Sequence, residues 1–216
     1  MIVVVTGTGT DIGKTWFTAA TIDALRAEGH DVAARKPVQS FAPDDPAPTD
    51  ADVLARATGE RVAVVCPPHR WLPMAVAPPM AAAALERPAF TIAELVAEVR
   101  GLAPEPGVIV FVEGAGGARS PIADDGDTIA LAHALAADRV VIVADAGLGT
   151  INAVRLTAGA LSSWTPVIAL NRYDDANALH RANHAWLSER DGFTIVTSPV
   201  ELAANLTLRG TAPNRS

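Results

Sequence analysis

Near its N-terminus the chain runs from a β-branched stretch, Ile2–Val5, into Gly7-Thr8-Gly9-Thr10-Asp11-Ile12-Gly13-Lys14-Thr15, and from there into a segment with the apolar spacing of a helix. That order leaves few folds open. A glycine-rich turn between a buried strand and a helix lets the main chain pass without Cβ atoms and aims consecutive N–H groups at one point. The helix adds the positive end of its dipole to the same point. Lys14 can then sit against the outer phosphates of a polyphosphate as a point charge, and the Thr15 hydroxyl is placed to ligate Mg²⁺. A turn without a ligand would explain the glycines but not the Gly-Lys-Thr that closes them. The common pattern places four residues between the first glycine and Gly-Lys. Here five lie between Gly7 and Gly13, and Thr8 stands where the usual glycine would be.

Short β-branched runs recur along the chain at Ile2–Thr6, Val32–Ala34, Val62–Val65, Val108–Val112, Val140–Ala144, Val167–Leu170 and Thr194–Thr197. Runs so continuously apolar suit strands covered on both faces. The stretches between them, such as Lys14–Glu28, Thr91–Leu102, Thr128–Ala136, Thr150–Leu161 and Ala176–Glu189, are long enough and rich enough in Ala and Leu to be helices. Strand and helix therefore alternate, which predicts an α/β fold with a mostly parallel sheet and helices on both faces. Ligands of such folds sit beyond the carboxyl ends of the strands. Two stretches break the rhythm, Phe41–Thr49 with Pro43–Pro46 all acidic or proline, and Cys66–Pro79 with five prolines. Proline removes a donor and fixes φ, so both read as surface loops without regular structure.

With 216 residues the chain suits one domain, and Pro213–Ser216, or about 212–216, reads as a loose tail. A net charge of −7 leaves no broad footprint for nucleic acid or anionic lipid, so any bound anion needs a local device. The single cysteine, Cys66, cannot form an internal disulfide, and no Cys/His spacing suggests a zinc site. The N-terminus shows no export leader, and no apolar run reaches the ~20 residues of a membrane span. The expected location is cytoplasmic.

A nucleotide site needs a carboxylate for its metal. Val108–Val112 ends in Glu113, followed by Gly114-Ala115-Gly116-Gly117, which would let a second backbone segment close over the phosphates. An isolated acid there could equally be a turn residue. Beside the Gly7–Thr15 loop, however, a hard cation calls for oxygen ligands.

The loop Gly7–Thr15, the segment Lys36-Pro37-Val38-Gln39-Ser40, Val112-Glu113-Gly114-Ala115-Gly116-Gly117, and Leu148-Gly149-Thr150-Ile151-Asn152 occur in that order. Together they resemble the dethiobiotin synthetase family of the P-loop NTPase superfamily, from about Ile2 to Asn171. The resemblance implies a homodimeric ligase that uses ATP with Mg²⁺ to carboxylate 7,8-diaminopelargonic acid with CO₂ and close a urea ring. It implies catalytic roles for Lys36 and Lys14 and substrate contacts from Thr10, Lys36 and Ser40. Leu148, Gly149, Thr150, Ile151 and Asn152 would meet the substrate's far carboxylate across the dimer interface. Nucleotide contacts would come from Asp11, Ile12, Gly13, Lys14, Thr15, Trp16, Asp50, Glu113, Gly114, Ala115, Gly116 and Asn171, with a later loop of Pro199, Val200 and Glu201 on the other side of the base. The metal ligands implied are Thr15, Asp50 and Glu113. Asp52 competes with Asp50, which could instead cap a helix, and Asn171 could be a turn former. Phe41 and Ala153 depart from the family pattern, which has Gly and His there.

A regulatory ATPase of the partitioning or division-site class would share the fold. Its loop carries a further lysine near the position of Gly9, and no lysine occurs here between Met1 and Lys14. An amidating synthetase would need a glutaminase domain, for which the chain is too short. A nucleotide-binding module that only dimerises is the third rival.

Overall fold

The computed structural model describes residues 1–102 and 107–208; the expected tail lies outside the described residues. In chain order the elements are β1 (Ile2–Gly7), α1 (Lys14–Ala27), β2 (Val32–Arg35), β3 (Gln39–Ser40), α2 (Asp50–Thr58), α3 (Val62–Val65), β4 (Trp71–Leu72), α4 (Pro78–Ala84) and α5 (Ile92–Gly101). There follow β5 (Ile109–Glu113), β6 (Pro121–Ala123), β7 (Gly126–Asp127), α6 (Thr128–Leu135), β8 (Arg139–Asp145), α7 (Thr150–Ala160), β9 (Val167–Asn171), α8 (Ala178–Ala185), β10 (Thr194–Val196) and α9 (Pro199–Leu208).

Six strands form one sheet in the order β10-β9-β8-β1-β5-β2, parallel at every pairing. Side chains alternate between its faces, and both faces are covered. On β8, Val140, Ile142 and Ala144 join one buried cluster, while Val141 and Val143 join the other. That two-sided burial is why these runs read as continuously apolar. The register brings the carboxyl ends level, with Val5 opposite Glu113, Gly7 opposite Val143, and Asp145 opposite Asn171. From β1 the chain passes outward to β2 and returns to β5 on one side, then continues to β8 on the other. The Gly7–Thr15 loop therefore emerges at the switch point of the sheet, where open α/β folds bind ligands.

Four expectations are corrected. Val62–Val65 is one helical turn, closed by Cys66 N–H donating to Val62 O at 2.9 Å. β2 is the sheet's edge, and the free Ala34 N–H there donates to Glu60 Oε2 at 2.9 Å, so no further strand is recruited. Cys66–Pro79 is not an unstructured surface loop: it holds a 3₁₀ turn at Pro68–Arg70, pairs β4 in parallel with β3, and starts α4 on Pro78. Its Cys66 and Leu72 are fully buried, and proline is tolerated in a first helical turn because its missing N–H would be unpaired there anyway. Pro199, Val200 and Glu201 are the first turn of α9, not a loop. The helix expected over Ala176–Glu189 starts at Ala178 and widens at Trp186–Arg190 into a π turn. Phe41–Thr49 contains no regular element.

Candidate active site

Three carboxyl strand ends and the loop between β1 and α1 meet at one place. Gly13 caps α1 in the left-handed region at φ +84°, which an L side chain rarely adopts, and a Cβ there would run into the Asn171 amide. The Asn171 Nδ2 group donates to Ile12 O at 2.8 Å, so the end of β9 braces the loop from behind. Lys14 folds back over the loop and donates to Gly9 O at 2.8 Å. Asp11 takes φ +57°, and its carbonyl accepts from Arg172 at 3.1 Å.

Directly below lies a cluster of two acids, one lysine and one hydroxyl. Thr15 Oγ1 is 2.7 Å from Asp50 Oδ1 and 2.8 Å from Glu113 Oε1. Lys36 follows β2, and its Nζ lies 2.7 Å from Asp50 Oδ2, 2.9 Å from Glu113 Oε1 and 3.0 Å from Gly114 O. Lys36 is 1% exposed and Glu113 is fully buried. Burial alone would pull the Lys36 ammonium down, but the Asp50 and Glu113 charges outweigh it and hold its pKa above the ordinary lysine value. Asp50 is held below the ordinary carboxylate range: its desolvation opposes ionisation, and Lys36 with the Thr15 hydroxyl overcomes it. Lys14 shifts down, first through burial and then through the neighbouring Lys36 charge. Lys36 thus lies inside the acidic cluster, and Lys14, bonded to Gly9 O, stands near enough to feel the charges of Lys36, Glu113 and Asp50.

The choice between Asp50 and Asp52 follows from the start of α2. Thr49, not Asp50, is the N-cap: its hydroxyl accepts from Asp52 N–H, and the Asp52 carboxylate accepts from Thr49 N–H, forming a capping box. Asp52 is engaged in that box, and Asp50 turns to Thr15 and Lys36. Gln39, which drew no attention in the sequence, fixes this helix: its Oε1 accepts from Ala51 N–H at 3.0 Å and its Nε2 reaches Thr49 Oγ1 at 3.4 Å. The signal available was its place in Lys36-Pro37-Val38-Gln39. Arg172 was missed as well. It pairs with Asp145 at 2.9 Å while holding the Asp11 carbonyl.

A cleft of about 810 Å³ opens over this cluster. Of the residues singled out from the sequence, Thr10, Asp11, Gly13, Lys14, Thr15, Trp16, Lys36, Ser40, Asp50, Ala115 and Gly116 line it. Glu113 and Gly114 lie beneath it, bonded to Lys36, and Asn171 stands behind the loop, bonded to the Ile12 carbonyl. Leu148 to Asn152 do not line the cleft of their own chain: they begin α7, with Leu148 92% exposed and Gly149 as the N-cap at φ +91°. Pro199 to Glu201 are likewise absent from its lining. Phe41 lines it, fixed by its N–H donating to Leu72 O at 3.1 Å.

The oxygens around Thr15 suit a hard divalent cation. One hydroxyl proton cannot serve two carboxylates, yet both lie within 2.8 Å of Oγ1, and Glu113 Oε2 is a buried oxygen with no hydrogen-bond partner among the described residues. An all-oxygen donor set of this kind is what Mg²⁺ takes.

A family model described as an AAA domain matches residues 2–198. The ATP-dependent dethiobiotin synthetase of Haloferax mediterranei is 37% identical over 200 residues, covering 90% of this chain and 82% of that protein. This chain belongs to the dethiobiotin synthetase family. The family's protein from Rhodococcus jostii is 43% identical over 164 residues, covering 75% of this chain and 68% of its own length. Among solved structures, a plasmid partition protein from Borrelia burgdorferi matches with a TM-score of 0.55 at 13% identity, over 97% of this chain and 98% of that one. The MinD cell division protein of Aquifex aeolicus matches at 0.50 and 16% identity, over 100% and 99%. At such identities the likeness shows the P-loop NTPase fold alone, so it lends the switch-ATPase reading nothing beyond a shared scaffold.

Proposed function

We propose that this synthetase-family member is the ATP-dependent cyclo-ligase of biotin biosynthesis, joining 7,8-diaminopelargonic acid and CO₂ into dethiobiotin. The observation that carries the reading is the Lys36 ammonium held between Asp50 and Glu113 at the floor of the cleft, beside the Gly7–Thr15 loop over which Lys14 folds onto Gly9 O. In the first step an amine of the substrate bonds to CO₂ and loses a proton, giving a carbamate. A carbamate oxygen then attacks the γ-phosphorus of ATP, and the bond to ADP breaks. The second amine attacks the carbonyl carbon of the resulting anhydride, phosphate leaves, and the ring closes with loss of a proton.

Two anions, carbamate and triphosphate, must meet in this scheme, and positive charge has to be gathered where they do. Lys36 neutralises the carbamate and the transferring phosphoryl group, and Lys14 bridges phosphate and substrate. Removing one preorganised donor of this kind costs ~3–4 kcal/mol in the transition state. Thr10 and Ser40 hydrogen-bond the diamine. Thr15, Asp50 and Glu113 would hold Mg²⁺, which when bound offsets negative charge on the outer phosphates. Asp11 to Trp16, with Gly114, Ala115 and Gly116, surround the phosphates. Asn171 spends its Nδ2 on Ile12, which leaves its Oδ1 to accept from the adenine amine, and the α9 turn Pro199–Glu201 faces the base from the other side.

The substrate's far carboxylate is assigned to the start of α7, Leu148 to Asn152, of a second copy, so the working unit is a homodimer. Support comes from the exposed Gly149-capped helix start, whose N–H groups suit a carboxylate and which does not line its own chain's cleft. The chain is read as one domain acting in the cytoplasm. No helix among the described residues is long and apolar enough to cross a membrane.

The test mixes purified protein with ATP, Mg²⁺, bicarbonate and 7,8-diaminopelargonate and looks for dethiobiotin by mass spectrometry. Ring product that needs all the components supports the reading. Phosphate release indifferent to the diamine, without ring product, would favour the regulatory ATPase.

A further inference from the structure

We infer that Lys36 makes this site admit a divalent cation only as its nucleotide complex and refuse the free ion. The inference rests on the cation role proposed above for Thr15, Asp50 and Glu113. An ammonium has three N–H donors, and Lys36 directs its Nζ at three acceptors, Asp50 Oδ2, Glu113 Oε1 and Gly114 O, at 2.7, 2.9 and 3.0 Å. Two of those acceptors belong to the carboxylates that a cation at Thr15 would need. Ammonium and ion therefore compete for the same oxygens.

The geometry makes the competition strong. Mg²⁺ sits about 2.1 Å from an oxygen ligand. An ion on Glu113 Oε1, 2.9 Å from Nζ, would thus stand within about 5 Å of the ammonium. Lys36 is 1% exposed and Glu113 0%, so on the Glu113 side little water intervenes to screen the repulsion, while the Asp50 side chain is 45% open to the cleft. Counted as formal charges, the two acids are already balanced by Lys36 and Lys14, and a free dication meets no net attraction. A triphosphate changes that balance, since it carries more negative charge than one divalent ion neutralises. Its arrival draws both lysines toward phosphate and frees the carboxylates for the ion it brings. Cation loading and the delivery of Lys36 to the transferring group become one event, and a cation cannot occupy the site ahead of the nucleotide.

Mn²⁺ is the probe, read as loss of the free-ion signal in electron paramagnetic resonance, with no nucleotide present. Wild type should take up no Mn²⁺ at the cluster in the sub-millimolar range. Lys36→Met should bind one Mn²⁺ per chain at least tenfold more tightly than wild type, about 1.4 kcal/mol, and adding Glu113→Gln should abolish the gain. Lys36→Gln, which keeps a polar side chain in the buried site, is the second variant. Should the Lys36 variants fold poorly, the wild-type titration still decides: sub-millimolar uptake of one Mn²⁺ that Glu113→Gln removes overturns the inference. So does a folded Lys36→Met or Lys36→Gln that binds Mn²⁺ no better than wild type, or whose gain survives Glu113→Gln. None of these readouts depends on ring closure. Absence of dethiobiotin would defeat the proposed activity and leave this result standing, and the reverse also holds.

Discussion

Gly114 follows the acid that ends β5 and itself carries the carbonyl that accepts from Lys36, and it has no room for a side chain. A Cβ placed there would press into the Thr128 hydroxyl, 2.7 Å from its Cγ2 and 3.0 Å from its Cβ. Thr128 opens α6, is 2% exposed, and is β-branched, so it cannot swing aside cheaply. Overpacking of this kind costs about 1–3 kcal/mol. For a chain of this size each kcal/mol lowers Tm by roughly 2–4 °C. Taking ~2 kcal/mol, Gly114→Ala should melt roughly 4–8 °C lower. Because the strain falls on the Gly114 carbonyl, kcat should drop by more than the KM for ATP rises.

A double-mutant cycle separates that account from general damage. The Thr128 hydroxyl has no hydrogen-bond partner among the described residues, so Thr128→Ala loses packing rather than a bond seen there. Gly114→Ala with Thr128→Ala should be more stable than the sum of the single effects by about 1 kcal/mol or more, within the range found for residues in contact. The assay is denaturant unfolding of the four proteins, with kcat measured on each. Additive stabilities, or a Gly114→Ala protein that melts and turns over like wild type, would refute the argument.

Other perturbations give separate readings. Lys36→Ala should abolish turnover while leaving nucleotide binding nearly intact, whereas Lys14→Ala should impair both; isothermal titration with an ATP analogue beside a turnover assay distinguishes them. Asp50, with its pKa held below the ordinary 3.8, adds stability that is present above that pH and lost as pH falls through its lowered value. Lys36, held above 10.5, adds stability that is present below that pH and lost as pH rises through its raised value. Unfolding followed against pH should show both limbs, and Asp50→Asn should flatten the acid one. Thr49→Ala breaks the capping box that frees Asp50, costing about 1 kcal/mol, and should weaken Mg²⁺-dependent nucleotide binding more than any other cap removal of equal cost.

Much of this was legible in the residues. β1, β5, β8 and β9 are buried on both faces, so each is a run that nothing but a central strand explains, and the Gly7–Thr15 turn fixes which ends of those strands matter. The same β-branched character misled at Val62–Val65, because being next to a sheet edge is a tertiary fact that a four-residue run does not carry. Proline count misled at Cys66–Pro79, where prolines stand at turns and in a first helical turn while Cys66 and Leu72 fill the core. Burial pushes that Cys66 thiol up to about 12, which makes it a packing residue. The Thr49-x-x-Asp52 spacing is itself a capping signature, and it marks Asp52 as the residue engaged at the start of α2. Gln39 stood inside the Lys36–Ser40 segment, but its hold on the start of α2 shows only in the folded contacts, and Arg172 acts through contacts 27 and 161 residues away that no local pattern marks.

The central claim is that the carbamate's own oxygen attacks the terminal phosphate. Freshly dissolved ¹⁸O-labelled CO₂ in unlabelled water, with ATP, Mg²⁺ and 7,8-diaminopelargonate, tests it in a single short turnover followed by mass spectrometry of the released phosphate. Phosphate carrying one labelled oxygen for each dethiobiotin formed is the expected result. Unlabelled phosphate alongside dethiobiotin would contradict it.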